Sequence, residues 1–425
     1  MTVVRPFRAL RYDPARVDLD RVIAPPYDVV TPEERRQYWD RDRHSAIRLE
    51  LTREVGDEAA TDYREAAETL AAWRRAGVLR RDPRPAIYAL RQSFRGPGGE
   101  PRVREGFFAL LHLEDYGRRI VRPHERTLAG PKADRLKLLR ATRANLSSIF
   151  LLYEDPGHAL TGLLSARLDA GPRQVARDAA GVEHALVAID EPAALARVEG
   201  FLAERPVVIA DGHHRYETAL GYRDECRRAE PGAGPAAPCE FTLAYFADAY
   251  APGSLLLPIH RVVREAPAPS DAEWSARLPG WSAERVACPG AEAIPELLAR
   301  HLAPLADRPA FAADDGSGVL RLFSRPAQPG ELGIRAIHAE VLAGVFGLDE
   351  AAVRDGAVAF PKHALEAARE VRAGRGSVAL YLNALRPEDV FRVTGAGEIL
   401  PQKSTFFMPK IPSGLLFRCF DEEAP

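Results

Sequence analysis

Residues 207–220 read Val-Val-Ile-Ala-Asp-Gly-His-His-Arg-Tyr-Glu-Thr-Ala-Leu. The run Val207 to Ala210 is short and apolar, the pattern of a buried strand. It stops at Asp211-Gly212, a dipeptide that turns the chain. From Arg215 the spacing becomes helical, with Tyr216, Ala219, Leu220 and Arg223 recurring on one side. The stretch therefore predicts a strand over 207–211 and a helix over 215–227, with five polar residues where one hands over to the other. The first turn of a helix carries unpaired N–H groups and the positive end of the dipole, so it receives phosphate well. Gly212 would let the backbone come close to such a ligand. His213, His214 and Arg215 add donors. Asp211 is either a base or magnesium ligand, or simply the cap of the following helix.

Composition narrows what surrounds this stretch. A chain of 425 residues exceeds a single core and predicts two or three domains. Apolar residues make up 46% and charged residues 28%, the balance of a soluble globular protein. A net charge of −2 offers no field for a nucleic-acid backbone. No run of about 18 apolar residues predicts a membrane span, and the N-terminus has no secretion signal. Cys226, Cys239, Cys288 and Cys419 are scattered without a C-x-x-C pair, so a disulfide framework or structural zinc is not expected and a reducing cytoplasm is. Of the 58 basic residues only Lys132, Lys137, Lys362, Lys403 and Lys410 are lysine. A lysine is a compact point charge suited to phosphate or proton transfer.

Outside the central stretch, Arg5–Tyr12 reads as a strand and Pro25-Pro26-Tyr27-Asp28 as a rigid turn. Thr31-Pro32-Glu33-Glu34 starts a helix. Residues 46–51 read as a strand and 59–76 as an amphipathic helix. Ala86–Phe94 and Glu105–Leu113 read as a hairpin. A helix is expected over 133–142, a strand over 148–153, and helices near 158–169 and 192–203. Strands are expected over 241–248 and 254–263, helices near 291–303, 338–346 and 363–373, and a strand over 377–383. The mixture of hairpins and helices predicts an α+β fold with mixed sheets. It divides into regions 1–155, 156–265 and 266–425.

A second dense segment is Arg122-Pro123-His124-Glu125-Arg126-Thr127, followed by Lys132 and Asp134-Arg135. His124 and Glu125 form a candidate acid–base pair. Arg126, Lys132 and Arg135 suit a clamp on phosphate or carboxylate. His260-Arg261 is expected to close a strand and reach the same pocket. Lys403-Ser404-Thr405 reads either as a phosphate contact or as a polar turn; the glycines of a Walker loop are absent.

Several separated motifs together resemble the bacterial and archaeal family catalogued as domain of unknown function 1015. They are Pro25-Pro26-Tyr27-Asp28-Val29, His124-Glu125 with Thr127, Lys132 with Asp134-Arg135-Leu136, Ile149-Phe150, Asp211-Gly212-His213-His214-Arg215-Tyr216, His260-Arg261 and Lys403-Ser404-Thr405. The resemblance spans nearly the whole chain but implies no activity by itself. The central loop is similar to the phosphate loop shared by ParB-type proteins, sulfiredoxin and the free serine kinases of archaea, whose version also reads Asp-Gly-His-His-Arg. This implies a ParB/sulfiredoxin-like core with helical elaborations. It also implies a small phosphate-bearing substrate, serine or phosphoserine, with ATP or ADP and Mg2+ as cofactors. The catalytic glutamate of the serine kinases is not placed by motif.

The chemistry expected is phosphoryl transfer, which rests on positioning and charge stabilisation. Asp211, Gly212, His213, His214, Arg215, Lys132, Arg135 and Lys403 are expected to converge on one pocket, with Asp211 as base or metal ligand and either histidine as donor or nucleophile. A kinase and a phosphatase use the same cradle and stay undivided. The other open reading is a nucleotide-binding regulatory switch of the ParB type. A sulfiredoxin-like reaction needs a cysteine where His213 stands, so it is set aside.

Overall fold

The turn at Gly212 organises the first half of the molecule. Val207–Asp211 is a strand and His213–Ala229 a helix, joined by that single residue at φ +90°. The helix starts two residues earlier than expected because glycine in the left-handed region makes the whole turn alone, which puts both histidines in the first turn. The structure is a computed structural model and describes all residues except 55, 57–60, 128, 172 and 421–425, with only the backbone described at 129–131.

The chain divides into two units, residues 1–255 with 409–425, and residues 256–408 between them. This differs from the three consecutive regions expected, because the polypeptide leaves the first unit and returns to it. The overall class is α+β, as expected.

The first unit holds a mixed nine-stranded sheet. From one edge the strands run Val121–Arg122, Val207–Asp211, Ile149–Tyr153, Phe241–Asp248, Pro101–His112, Ile87–Arg95, Glu183–Ile189 and Gln174–Arg177, with Val4–Arg5 also paired to Pro101–His112. Val207–Asp211 is parallel to Val121–Arg122 and antiparallel to Ile149–Tyr153. Its register shifts between Ile209 and Asp211, a bulge that re-aims the strand end. The strand lies between the edge strand Val121–Arg122 and Ile149–Tyr153 and is buried through Ala210. Its core includes Ile149, Leu151, Leu164, Val198, Val207, Ile209, Tyr216 and Phe246.

Local signals hold where they are strong. Pro32–Arg41 is a helix with a complete capping box between Thr31 and Glu34. The hairpin Ile87–Arg95 and Pro101–His112 pairs as expected. The helices Ala159–Ala170 and Pro192–Ala203 and the strand Phe241–Asp248 also match. Four readings are corrected. Arg5–Tyr12 is not one strand but two, Val4–Arg5 and Leu10–Tyr12, paired in different sheets. Residues 46–51 contain the helix Ile47–Glu50 in place of a strand, since four apolar-polar residues fit either period. The helix Arg64–Arg75 begins after Tyr63, which sits at φ +54°, and the expected start at 59–60 falls outside the described residues. The single strand over 254–263 is two, Leu255–Leu257 and Arg261–Val263, because Pro258 cannot donate to a ladder.

The second unit has a six-stranded antiparallel sheet in the order Ser282–Ala287, Val319–Ser324, Ala310–Asp314, Val378–Leu382, Arg261–Val263, Val358–Ala359. The helix Ala364–Arg372 packs on it through Ala367, Ala368 and Val371. Its first strands lie where the sequence is proline-rich and weakly patterned. Among the described residues, no helix is long and apolar enough to cross a membrane.

Candidate functional site

Asp211 ends its strand pointing between two cations. Its Oδ2 lies 2.8 Å from Arg215 Nη2, one helical turn on, and its Oδ1 lies 2.6 Å from Lys410 Nζ. Burial alone would raise its pKa, but Lys410 and Arg215 together drive the carboxyl far below the usual range. Asp211 is thus a fixed anion, and a poor base near neutral pH. Arg215 also donates through Nη1 to the Ser148 carbonyl, while its Nε has no partner among the described residues. A Cβ at residue 212 would meet Arg215 Cζ and Nε at 3.0 Å, so glycine serves both the turn and the arginine's position.

Lys410 is delivered by the segment that returns to the first unit. Arg104 Nη2 donates to the Pro409 carbonyl at 2.5 Å and Gln92 Nε2 to the Lys410 carbonyl at 3.1 Å. Further on, Ser413 pairs with Ala24 and Phe417 with Leu10. Lys410 had stood out only as one of five lysines; its partner is 199 residues away, so no local pattern marks the pair.

The two leading histidines are buried and held neutral. His124 Nδ1–H donates to the Ile209 carbonyl at 2.6 Å, and the His124 backbone N–H donates to His213 Nε2 at 3.3 Å. That bond makes His213 Nε2 an acceptor and places its proton on Nδ1, facing Glu125 Oε1 at 3.6 Å. The rings meet edge to face, 4.5 Å between centroids. Burial lowers both pKa values, and His124 further disfavours charge on His213. His213 therefore has Nε2 engaged as an acceptor and its protonated Nδ1 toward Glu125, beyond hydrogen-bond reach, which leaves no unprotonated nitrogen to act as a nucleophile. His214 is partly exposed in the same helical turn. Glu125 is about a quarter exposed and makes no bond to a cation among the described residues.

The residues expected to clamp phosphate separate into two groups. Lys132 Nζ is bound at 2.8 Å to Glu217, which also accepts from Thr127 at 2.7 Å. Glu217 is one turn beyond His213, so Lys132 stands beside the site but is anchored. Arg135 is buried and saturated: it binds Asp134 at 2.6 Å, the Tyr63 hydroxyl at 2.6 Å and the Glu50 carbonyl at 3.0 Å, with Tyr27 stacked at 4.2 Å. It is a scaffold, which corrects the expectation of a clamp. Tyr27, whose pKa burial pushes up to about 12, and Asp28 lie within electrostatic range of Arg215, so the Pro-Pro-Tyr-Asp turn belongs to this neighbourhood.

His260, Arg261, Lys403, Ser404 and Thr405 belong to the second unit. Arg261 opens a strand there, where it had been expected to close one. It is fully buried, donating to the Ile259 carbonyl at 2.6 Å and to His338 Nε2 at 3.1 Å, and burial pushes its pKa down to about 9. Lys403 is exposed in a turn at φ +55°, and Ser404 donates to the Pro401 carbonyl. The local bonds are those of a polar turn. For magnesium, Asp211 does not fit: both its oxygens are held by cations. Among the described residues no group of three potential ligands could hold a metal ion.

The fold and site define an α+β protein with a glycine turn between a strand and a helix, its aspartate paired with two cations. The chain belongs to the family described as "Protein of unknown function (DUF1015)", whose model matches residues 4–287. No curated protein matches it. Among solved structures it is similar to a conserved hypothetical protein from Pyrococcus furiosus, 14% identical, covering 75% of this chain and 97% of that one at a TM-score of 0.36. A free serine kinase variant in complex with ADP is 14% identical, covering 72% and 92% at 0.35. SbnI from Staphylococcus aureus, truncated at its C-terminus, is 10% identical, covering 72% and 88% at 0.34. At scores this low the likeness fixes neither fold nor activity.

Proposed function

We propose that the protein is a phosphotransferase whose Asp211–Arg215 loop holds phosphate and which moves a phosphoryl group to or from a small hydroxy-amino acid, with free serine and phosphoserine as the leading pair. One observation carries this reading. Gly212 presents the first turn of a 17-residue helix directly after the strand end, with Arg215 and Lys410 converging on the same carboxylate. The unpaired N–H groups of that turn and the two cations are the donors a phosphate requires. The same loop is what a ParB/sulfiredoxin-like core would present, with ATP or ADP as the phosphoryl donor or acceptor.

The residues divide the work as follows. Arg215 and Lys410 meet the phosphate oxygens, and Asp211 keeps both aimed. Glu125, beside His213, is the base for the accepting hydroxyl. It replaces Asp211 in that role, since a carboxylate locked between two cations gives up basicity. The test is to incubate purified protein with serine or phosphoserine, with ATP or ADP as magnesium salts or without nucleotide, and to measure phosphoserine and released phosphate. Nucleotide-dependent formation or loss of phosphoserine is expected. Binding of nucleotide without turnover of either amino acid would instead favour a regulatory switch.

A further inference from the structure

A cavity of about 50 Å³ in the first unit is lined by residues that include Arg215 of the Asp211 loop. Leu138, Leu139, Leu146 and Ile149 give it apolar walls, and Glu50, Arg135 and Arg215 are the charged residues that line it, Arg135 with its bonds already made to Asp134, Tyr63 and the Glu50 carbonyl. Glu50 is only 2% exposed. Its Oε2 accepts from Ser147 at 3.1 Å, but Oε1 has no hydrogen-bond partner among the described residues. Arg215 Nε is likewise without a partner, as is the hydroxyl of Ser148, beside Ser147, while the Ser413 hydroxyl lies close enough to Glu50 to favour its charged form against the burial that raises its pKa. A buried carboxylate oxygen left unmet costs more than an ordinary lost hydrogen bond. Here an acceptor and a donor of opposite charge, both unmet, line one small cavity. That is the complement of a ligand carrying a cationic donor next to an anionic acceptor.

We propose that this cavity binds the ammonium and carboxylate of a small α-amino acid, with Glu50 Oε1 accepting from the ammonium and Arg215 Nε donating to the carboxylate. The proposal rests on reading the adjacent loop as a transfer site for such a substrate, and it names the group that reads the amino end. Arg215 links the two: its Nη2 is bound to Asp211, and its side chain, with Nε unmet, also lines the cavity. A hydroxy acid with no ammonium would leave Glu50 unpaired and would be rejected.

Calorimetric binding without nucleotide tests this, using L-serine and D-glycerate as probes. Wild type is expected to bind serine, and glycerate at least about 10-fold more weakly. Glu50→Gln should weaken serine roughly 10- to 100-fold, the loss of a charged hydrogen bond, and should abolish the preference over glycerate. Ser147→Ala keeps the carboxylate and should keep the preference. If Glu50→Gln does not fold, Glu50→Asp takes its place: weaker serine binding with the preference retained supports the assignment. Wild type that binds no serine, or binds glycerate equally well, overturns it, and so does unchanged serine binding in a folded Glu50→Gln protein. Glu50-dependent serine binding without phosphoryl transfer would leave this assignment standing and reject the transferase reading alone.

Discussion

Two buried charged clusters in the first unit differ in one respect. Around Arg135, every strong group is spent: Asp134, the Tyr63 hydroxyl, the Glu50 carbonyl and the Tyr27 ring take up the guanidinium. Around Arg215, a comparable ion pair with Asp211 leaves Nε unmet, a second cation on the same carboxylate, and a helix N-terminus at hand. The sequence presents both arginines as phosphate clamps. What separates a scaffold from a site is unused hydrogen-bonding capacity, not the density of charge.

The largest expected effect tests the chemistry on the Arg215 side. Glu125→Gln should lower turnover by ~10²–10⁴-fold, the range of a lost general base, with an unchanged melting temperature; steady-state kinetics beside thermal melts check it. Unimpaired turnover would remove Glu125 from the mechanism.

Next comes stability on the Arg135 side. Arg135→Ala strands Asp134 in the interior and should cost about 3–5 kcal/mol in urea unfolding. Any protein that remains folded should bind ADP at the Asp211 loop as before. Loss of affinity with stability intact would reverse the comparison.

Asp211→Asn should cost about 2–3 kcal/mol at neutral pH, below the figure for a fully buried pair because the side chain is 17% exposed. Its depressed carboxyl pKa also predicts a pH signature. The stabilisation from Asp211 is complete above an unfolded value of about 4 and is lost as pH falls toward the lower folded value. Unfolding measured from neutral pH down through that range should show a steeper acid loss in wild type than in the variant.

The smallest effect is at Lys132, which is 35% exposed and paired to a partly exposed Glu217. Lys132→Ala should change stability by no more than ~1 kcal/mol. A calorimetric titration with phosphoserine should show affinity within a few-fold of wild type.

The strand, turn and helix at 207–229 are legible in sequence because each is a local signal: an apolar run, a glycine, a helical period. The capping box at Thr31 and the hairpin at 87–112 are legible for the same reason. Lys410 is not, since only the returning chain brings it to Asp211. Glu50 escapes because its four-residue helix resembles a strand and its importance lies in an oxygen without a partner. Arg135 looks like Arg215 until its contacts are counted, and the inserted second unit hides because nothing local marks a chain that comes back.

The most direct test of the central claim is a calorimetric titration of ADP into wild type and into Arg215→Ala. Wild type is expected to bind ADP, and Arg215→Ala to bind it more weakly by roughly 1.5–3 kcal/mol, the worth of a hydrogen bond to a charged group; the variant should melt at a lower temperature, since its pair with Asp211 is lost, so the titration is run where circular dichroism shows it folded. Equal ADP affinity in the two folded proteins, or none in wild type, would contradict a phosphate site at the Asp211 loop.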